Sequence, residues 1–375
     1  VVTAVRCGRS EEPTFSHRAA GKKGQRVEGL SRTQRALDHD QVQRFVEASF
    51  GADRRVVDCG PISGGGFATV WRVALDDGRA VVLKVSPPPG IPLLRYEQGL
   101  AGAEASYLRL VAACAPQVPV PPLLHHGKDP ERGEWLFTGL LPGRSLREWS
   151  ESGQHLEDGP ARHDFGAAIA TLHRVTGARY GYGGDRTGGA TWREAFSGML
   201  DGLLADTADW EIRLPTSPAR IRELPERYAW ALDQVHRPAL VHFDGWDGNV
   251  LAEPDTAGAL RLRGIVDGER FLFGDPLMDL VSPLMYRRAE DEPEHPFLRG
   301  YRANAAHPLV LDEAARRRLS LYRLHLYLLM TVEMPSRGIT RENRPDRFER
   351  LADLLDQELA ELRRETPSAI PGGSG

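Results

Sequence analysis

Cysteine is scarce. The 375 residues hold three, Cys7, Cys59 and Cys114, too far apart for a metal-ligating spacing or a disulfide framework. This excludes a stapled miniprotein and a structural zinc, and fits a reducing cytoplasm. Charge of one sign is also missing: 48 Lys and Arg stand against 52 Asp and Glu, a formal net charge of -4. Without a basic excess, neither nucleic acid nor an anionic membrane is an expected partner. Long apolar runs are absent as well. No stretch approaches the ~20 apolar residues of a membrane span, and the apolar patch at the start, VVTAV, falls short of the ~7–15 residues of a secretory signal core. The expectation is a cytoplasmic protein. What remains, 41% hydrophobic and 27% charged residues, is ordinary for globular protein, and the length predicts two structural units at roughly 100–200 residues each.

Residues 1–37 are expected to form a disordered basic tail. Up to Thr33 they carry seven Lys and Arg against three Glu and no apolar period, too little to offset the entropy of ordering. Residues 369–375 form a second tail. Order begins near Asp38, with Asp40 as helix cap and Val42, Phe45 and Val46 as an apolar stripe. Strands are predicted at Val70–Leu75 and Arg79–Val85 around an Asp76-Asp77-Gly78 turn, then a helix over Tyr96–Ala113 that ends before VPVPP, then strands at Leu123–His126 and Glu134–Leu141. Helical periods dominate afterwards, at Ala161–Arg174, Trp192–Ala208, Pro218–Val235, Glu313–Glu333 and Arg344–Arg364. They are interrupted by β-branched stretches at Leu240–His242 with Val250-Leu251, and at Leu260–Val266. The division is therefore a small α/β lobe over 38–137 and a larger, mainly helical lobe over 138–368 containing one buried β-hairpin. A cleft between two such units is a preferred small-molecule site.

Three segments carry chemistry. The first is LVHFDGWDGNVL, in which His242, Asp244 and Asn249 form an H-x-D-x-x-x-x-N pattern. Taken alone it reads equally as a polar turn or as the centre of a phosphoryl transfer, with Asp244 accepting a hydroxyl proton and Asn249 offering an amide oxygen to Mg2+. The second, LRGIVDGERFLFGDPLMDL, ends an apolar strand on Asp267, a carboxylate placed to sit beside Asn249 and complete a magnesium site. Asp275 before Pro276 reads as a cap, and Asp279 as a structural hydrogen-bonder. The third is PISGGGFATVWRV, where Ser63, Gly64, Gly65 and Gly66 form a loop whose backbone can approach phosphates, or a flexible turn. Lys84 follows on an otherwise apolar strand and needs a partner. Glu104 on the next helix is one candidate and Glu97 the other.

Glycine loop, strand lysine, helix glutamate, connecting strand, catalytic loop and metal carboxylate follow the order of a protein-kinase-like fold. From about Asp58 to Tyr286, through SGGGFATVWRV, VLKVS, EASYLRL, VPVPPLL, LLPGRSL, Leu172-His173, VHFDGWDGN, IVDGE and GDPLMDL, the sequence resembles the aminoglycoside phosphotransferase and choline-kinase-like group of small-molecule kinases. The resemblance implies an α+β, two-lobed fold with a β-rich N-lobe and a mainly helical C-lobe. It implies ATP or GTP and Mg2+ as cofactors, and a small-molecule hydroxyl acceptor as partner. By the same resemblance, Ser63, Gly64, Gly65, Gly66, Lys84 and Glu104 hold the nucleotide phosphates. Phe137 to Leu140, Gly139 among them, present backbone atoms to the adenine, and Leu172-His173 pack under the catalytic loop. Asp267-Gly268-Glu269 stands in place of D-F-G, Gly245-Trp246-Asp247 interrupts the catalytic loop with a glycine that loosens it, and no A-P-E segment is visible. The D-G-E sequence and the missing A-P-E segment favour a small molecule over a protein substrate, whereas Gly245-Trp246-Asp247 departs from the small-molecule relatives as well and bears on the competence of Asp244.

The acceptor is less legible. The acidic run Glu290–Glu294, Glu333, Trp192 and Trp246 are candidates to face a cationic sugar. Outside the first 33 residues the chain carries 41 basic and 49 acidic side chains, which favours an aminosugar or amino-alcohol acceptor over an anionic one. The alternatives are an inactive kinase-like module and a protein kinase.

Overall fold

The computed structural model describes residues 31–62, 64–184 and 186–364. Most of the expected tails, and Ser63, lie outside the described residues. The first helix, α1 (His39–Phe50), is capped by Asp38 and not by Asp40: the Asp38 carboxylate accepts from the Gln41 N–H, and the Gln41 side chain returns to the Asp38 N–H. Strands β1 (Val56–Pro61), β2 (Thr69–Leu75) and β3 (Ala80–Val85) follow, then helix α2 (Leu100–Cys114) and strands β4 (Leu123–Asp129) and β5 (Gly133–Gly139). They form a five-stranded antiparallel sheet in the order β1-β2-β3-β5-β4. Val73, Val81, Leu83, Val85 and Phe137 bury one face against Val42, Phe45 and Val46 of α1, so alternation sends Lys84 to the other face. The helix expected from Tyr96 starts only at Leu100. Gly99 adopts φ +70°, and a separate 3-10 turn occupies Arg95–Glu97.

The second lobe begins with β6 (Arg144–Ser145), α3 (Leu146–Glu151), α4 (Gly159–Leu172), β7 (Tyr180–Tyr182), β8 (Gly188–Gly189) and α5 (Trp192–Asp209). Where one helix was expected over Pro218–Val235 there are three short ones, α6 (Pro218–Arg222), α7 (Leu224–Arg227) and α8 (Ala229–Leu232); Pro225 lacks an N–H to continue the first ladder. Strands β9 (Ala239–Val241), β10 (Val250–Pro254), β11 (Leu260–Ile265) and β12 (Leu272–Gly274) precede α9 (Pro296–Asn304), α10 (Glu313–Ser336) and α11 (Pro345–Arg363). The expected hairpin is β10 with β11, with β6 on its edge, whereas β9 pairs with β12 in a separate sheet. The segment between β9 and β10 therefore joins two sheets and is anchored at both ends. Among the described residues no helix is long and apolar enough to cross a membrane.

The core of this lobe contains an ill-matched group. His325 of α10 is fully buried against Phe196 and Phe243, and neither ring nitrogen has a hydrogen-bond partner among the described residues. Burial, aided by the Arg270 charge, pushes its pKa down to about 3 from an ordinary 6.5. Below pH 6.5 the unfolded chain takes up a proton that the folded chain refuses. The stability is therefore complete above pH 6.5 and is lost as pH falls towards 3, by up to about 1.4 kcal/mol per pH unit. His325→Leu, of similar volume and without polar atoms, is expected to flatten the decline in melting temperature between pH 6.5 and 4.5. An unchanged slope would refute this account.

Candidate active site

Lys84 crosses from β3 to α2, where its Nζ donates to Glu104 at 2.6 Å. Of the two candidate partners this is the one the structure selects. Glu97 lies elsewhere, ion-paired with Arg337 at 2.6 Å. Two further carboxylates close on the same ammonium, Asp267, which hydrogen-bonds it, and Glu269 at 2.7 Å. Burial opposes the lysine charge, but Asp267, Glu104 and Glu269 hold its pKa well above the ordinary value. The carboxylates differ among themselves: burial pushes Glu104 up to about 7 and raises Glu269. Asp267, although burial pushes it the same way, is held below the usual carboxylate range by Lys84. Glu269 was not among the expected site residues. Its spacing, two residues after Asp267, was the available signal.

His242 to Asn249 join β9 to β10. His242 is fully buried; its Nδ1 accepts from the Asp244 N–H at 3.2 Å, and its Nε2 faces the Val266 carbonyl at 3.2 Å. It is a brace between the loop and the strand that delivers Asp267. Asp279 fixes the loop from beneath, accepting from the N–H groups of His242 at 2.9 Å and Phe243 at 2.6 Å. Its carboxylate also meets His173 Nε2 at 3.0 Å, so the Leu172-His173 turn supports the loop through Asp279. Phe243 takes φ +66°, a rare conformation for an aromatic residue, held here by these bonds. Asn249 donates its Nδ2 to the Asp244 carbonyl at 2.9 Å, and its own carbonyl accepts from Val266 N–H at 3.0 Å, which seats it beside the Asp267 segment.

The Gly245-Trp246-Asp247 departure does not loosen this loop. A Cβ on Gly245 would lie 2.7 Å from the Phe165 ring, so glycine is required by close packing. Asp247 forms a two-pronged ion pair with Arg162 of α4 at 2.8 Å per contact, the geometry of a rigid carboxylate–guanidinium fork.

Arg270, three residues beyond Asp267, was missed entirely by the sequence reading. Its guanidinium lies 3.4 Å from Asp244 and 2.5 Å from Glu333 of α10. Glu333 also accepts from the Tyr96 hydroxyl and lies 3.5 Å from Arg337. Burial pushes the Asp244 carboxyl up to about 7, against the pull of Arg270. Glu333, despite burial, is held below the usual range by Arg270 and Arg337.

Other candidates lie apart from this centre. Glu290 is buried in ion pairs with Arg323 at 2.7 Å and Arg288 at 3.6 Å, and Glu292 pairs with Arg287, so the acidic run is partly spent on structure. Trp192 is core, donating to the Tyr322 hydroxyl at 2.7 Å. Trp246 stacks under Arg147. Asp275 caps the turn after it and binds Arg318 and Tyr322. Phe137 is buried in the sheet, and the N–H groups of Gly139 and Leu140 donate to the carbonyls of Pro122 at 3.0 Å and Ala80 at 3.3 Å.

A family profile described as the phosphotransferase enzyme family matches residues 58–322. The chain belongs to that family. No curated protein sequence matches it. Among solved structures, this phosphotransferase is similar to a Thermobifida fusca protein described as a candidate fructosamine-3-kinase, with a TM-score of 0.58 and 21% identity over 86% of this chain and 99% of the other. It is also similar to a thermostable variant of aminoglycoside phosphotransferase APH(4)-Ia in complex with AMP-PNP and hygromycin B, with a TM-score of 0.56 and 19% identity over 87% and 99%. A type I macrolide 2'-phosphotransferase matches with a TM-score of 0.50 and 15% identity over 88% and 99%. The protein-kinase-like fold expected from the sequence is thus the fold of this phosphotransferase, and its reaction is that of a small-molecule kinase.

Proposed function

We propose that this phosphotransferase moves the γ-phosphate of ATP, with GTP as the alternative donor, to a hydroxyl of a cationic small molecule of the aminosugar, aminoglycoside or amino-alcohol class. The observation that carries the reading is the pairing of the candidate base with a second acidic group: Arg270 links Asp244 to Glu333. A hydroxyl presented to Asp244 would then lie near a cluster in which Asp244, Glu333 and Glu97 face Arg270 and Arg337, an excess of one acid that a neighbouring ammonium would offset. The acidic balance of the chain points the same way.

Asp244 would orient the acceptor hydroxyl and take its proton as the oxygen attacks phosphorus, while the nucleoside diphosphate leaves. Lys84, fixed by Glu104, would hold the phosphates, and Gly64, Gly65 and Gly66 would bring backbone N–H groups to them. A divalent cation fits the remaining donors. Asn249 spends its Nδ2 on the loop, leaving Oδ1 as a neutral oxygen ligand, and Asp267 remains ionised. Three carboxylates around one ammonium leave an excess of negative charge for a cation to offset. Mg2+ held there would neutralise phosphate oxygens. Catalysis would be positioning and electrostatics, without a covalent intermediate.

The test is nucleotide consumption across aminoglycosides, choline, homoserine, amino sugars and their neutral counterparts. Stimulation by cationic acceptors alone is the expected result. Stimulation by neutral acceptors only would overturn the acceptor class, and no stimulation by any, with nucleotide still bound, would make the protein an inactive binding module.

A further inference from the structure

The glycine loop is not free on its outer side. Residues 31–35, expected from their polarity to belong to a disordered tail, lie against it, and the side chains of Ser31, Thr33 and Gln34 make the hydrogen bonds to the loop. Ser31 Oγ and Thr33 Oγ1 donate to the Gly66 carbonyl at 2.6 and 3.1 Å. Gln34 Nε2 donates to the carbonyls of Gly65 and Ala68, each at 3.0 Å. The segment is itself tied down. Arg35 N–H donates to Thr69 Oγ1 at 2.6 Å, and its guanidinium donates to the carbonyls of Arg132 at 2.7 Å and Pro87 at 3.0 Å. Thr33 is 1% exposed.

The side from which these bonds come matters. Thr69 pairs with Val85 across β2 and β3, so its side chain shares the α1 face of the sheet, opposite Lys84. In a trans peptide the C=O of one residue and the N–H of the next point in opposite directions. Carbonyls of Gly65 and Gly66 drawn towards residues 31–34 therefore turn the N–H groups of Gly66 and Phe67 away from that segment, while Thr69, paired with Val85, stays in the ladder between β2 and β3. On the far side Phe67 is packed beneath the Arg337 guanidinium at 4.9 Å, so the loop is held between the strap and the end of α10.

We propose that residues 31–35 are a positioning strap for nucleotide phosphates, with Ser31, Thr33 and Gln34 fixing the glycine loop so that its N–H groups face the cleft. The inference rests on the phosphotransferase reading of that cleft. It assigns a role in the reaction to residues outside the 58–322 family match.

The experiment uses the full chain and titrates Mg·ATP and adenosine separately into the wild type, Gln34→Ala and the Ser31→Ala, Thr33→Ala double variant, with Ser31→Ala, Thr33→Ser as rescue. Loss of one or two neutral hydrogen bonds is expected to weaken Mg·ATP binding about five- to twentyfold. Adenosine binding and the melting temperature of the free protein should stay at the wild-type values, and the serine variant should recover most of the loss. Unchanged or tighter Mg·ATP binding would overturn the proposal, as would an equal loss for adenosine. Lys84→Met separates the two readings. If that variant binds Mg·ATP like the wild type, the reading that Lys84 holds the phosphates in this cleft fails irrespective of the strap.

Discussion

Asp244→Asn is expected to lower turnover by about 10²- to 10⁴-fold, the range for loss of a positioned general base, while leaving nucleotide affinity within about twofold. The amide has the size of the carboxylate, and the loop bonds through the Asp244 backbone to His242 and Asn249 survive. What is lost is the acceptor for the hydroxyl proton. The same carboxyl, raised to about 7 by burial, sets the pH dependence. The ionised form is the competent base, so wild-type turnover should fall about tenfold per unit below pH 7 and level off above it. Steady-state rates of nucleotide consumption between pH 5.5 and 9 check both statements. Undiminished phosphorylation by the variant would remove Asp244 from the mechanism. A wild-type rate flat across pH 7 would remove its titration from the rate-limiting step.

How far the site could be read from sequence depended on whether a residue's partner was local or remote. Asp244, Asn249 and Asp267 announce themselves because a hairpin brings them together, and hairpins leave alternating apolar strands in the sequence. Lys84 was legible as a charge where the strand pattern called for an apolar side chain, and Glu104 as the acid one helix later. Arg270 gave no such signal, and Glu333 was legible only as an acid near the end of an apolar helix, not as the partner of Arg270. They meet across 63 residues, between a 3-10 turn and a long helix, and nothing in either segment's period names the other. Residues 31–35 failed for a different reason: a segment held by side chain-to-carbonyl bonds has no hydrophobic period, so polarity reads as disorder. Gly245 misled because glycine permits both mobility and close approach, and only the Phe165 ring above it distinguishes them.

Arg270→Met is expected to destabilise the folded protein by about 3–5 kcal/mol, the cost of leaving buried carboxylates without their counter-charge. The Arg270 side chain is 14% exposed, and Asp244 and Glu333 are 12% and 11% exposed, so water replaces little of what the guanidinium provides. Tyr96 and Arg337 still reach Glu333, whereas among the described residues Arg270 is the ion-pair partner of Asp244. Without it the Asp244 carboxyl should rise further, moving the fall in activity to higher pH. Arg270→Lys keeps the charge, but a single ammonium lacks the planar fork that spans two carboxylates. It should retain much of the stability while still weakening the link to Glu333. Urea unfolding of Arg270→Met in the wild-type and Glu333→Gln backgrounds makes the argument exact. If the guanidinium works by bridging two charges, removing one charge first reduces the cost of removing it, and the two losses are less than additive. Strict additivity would mean that Arg270 acts through packing on Tyr96, whose ring lies 5.7 Å from it, and not by bridging the two carboxylates.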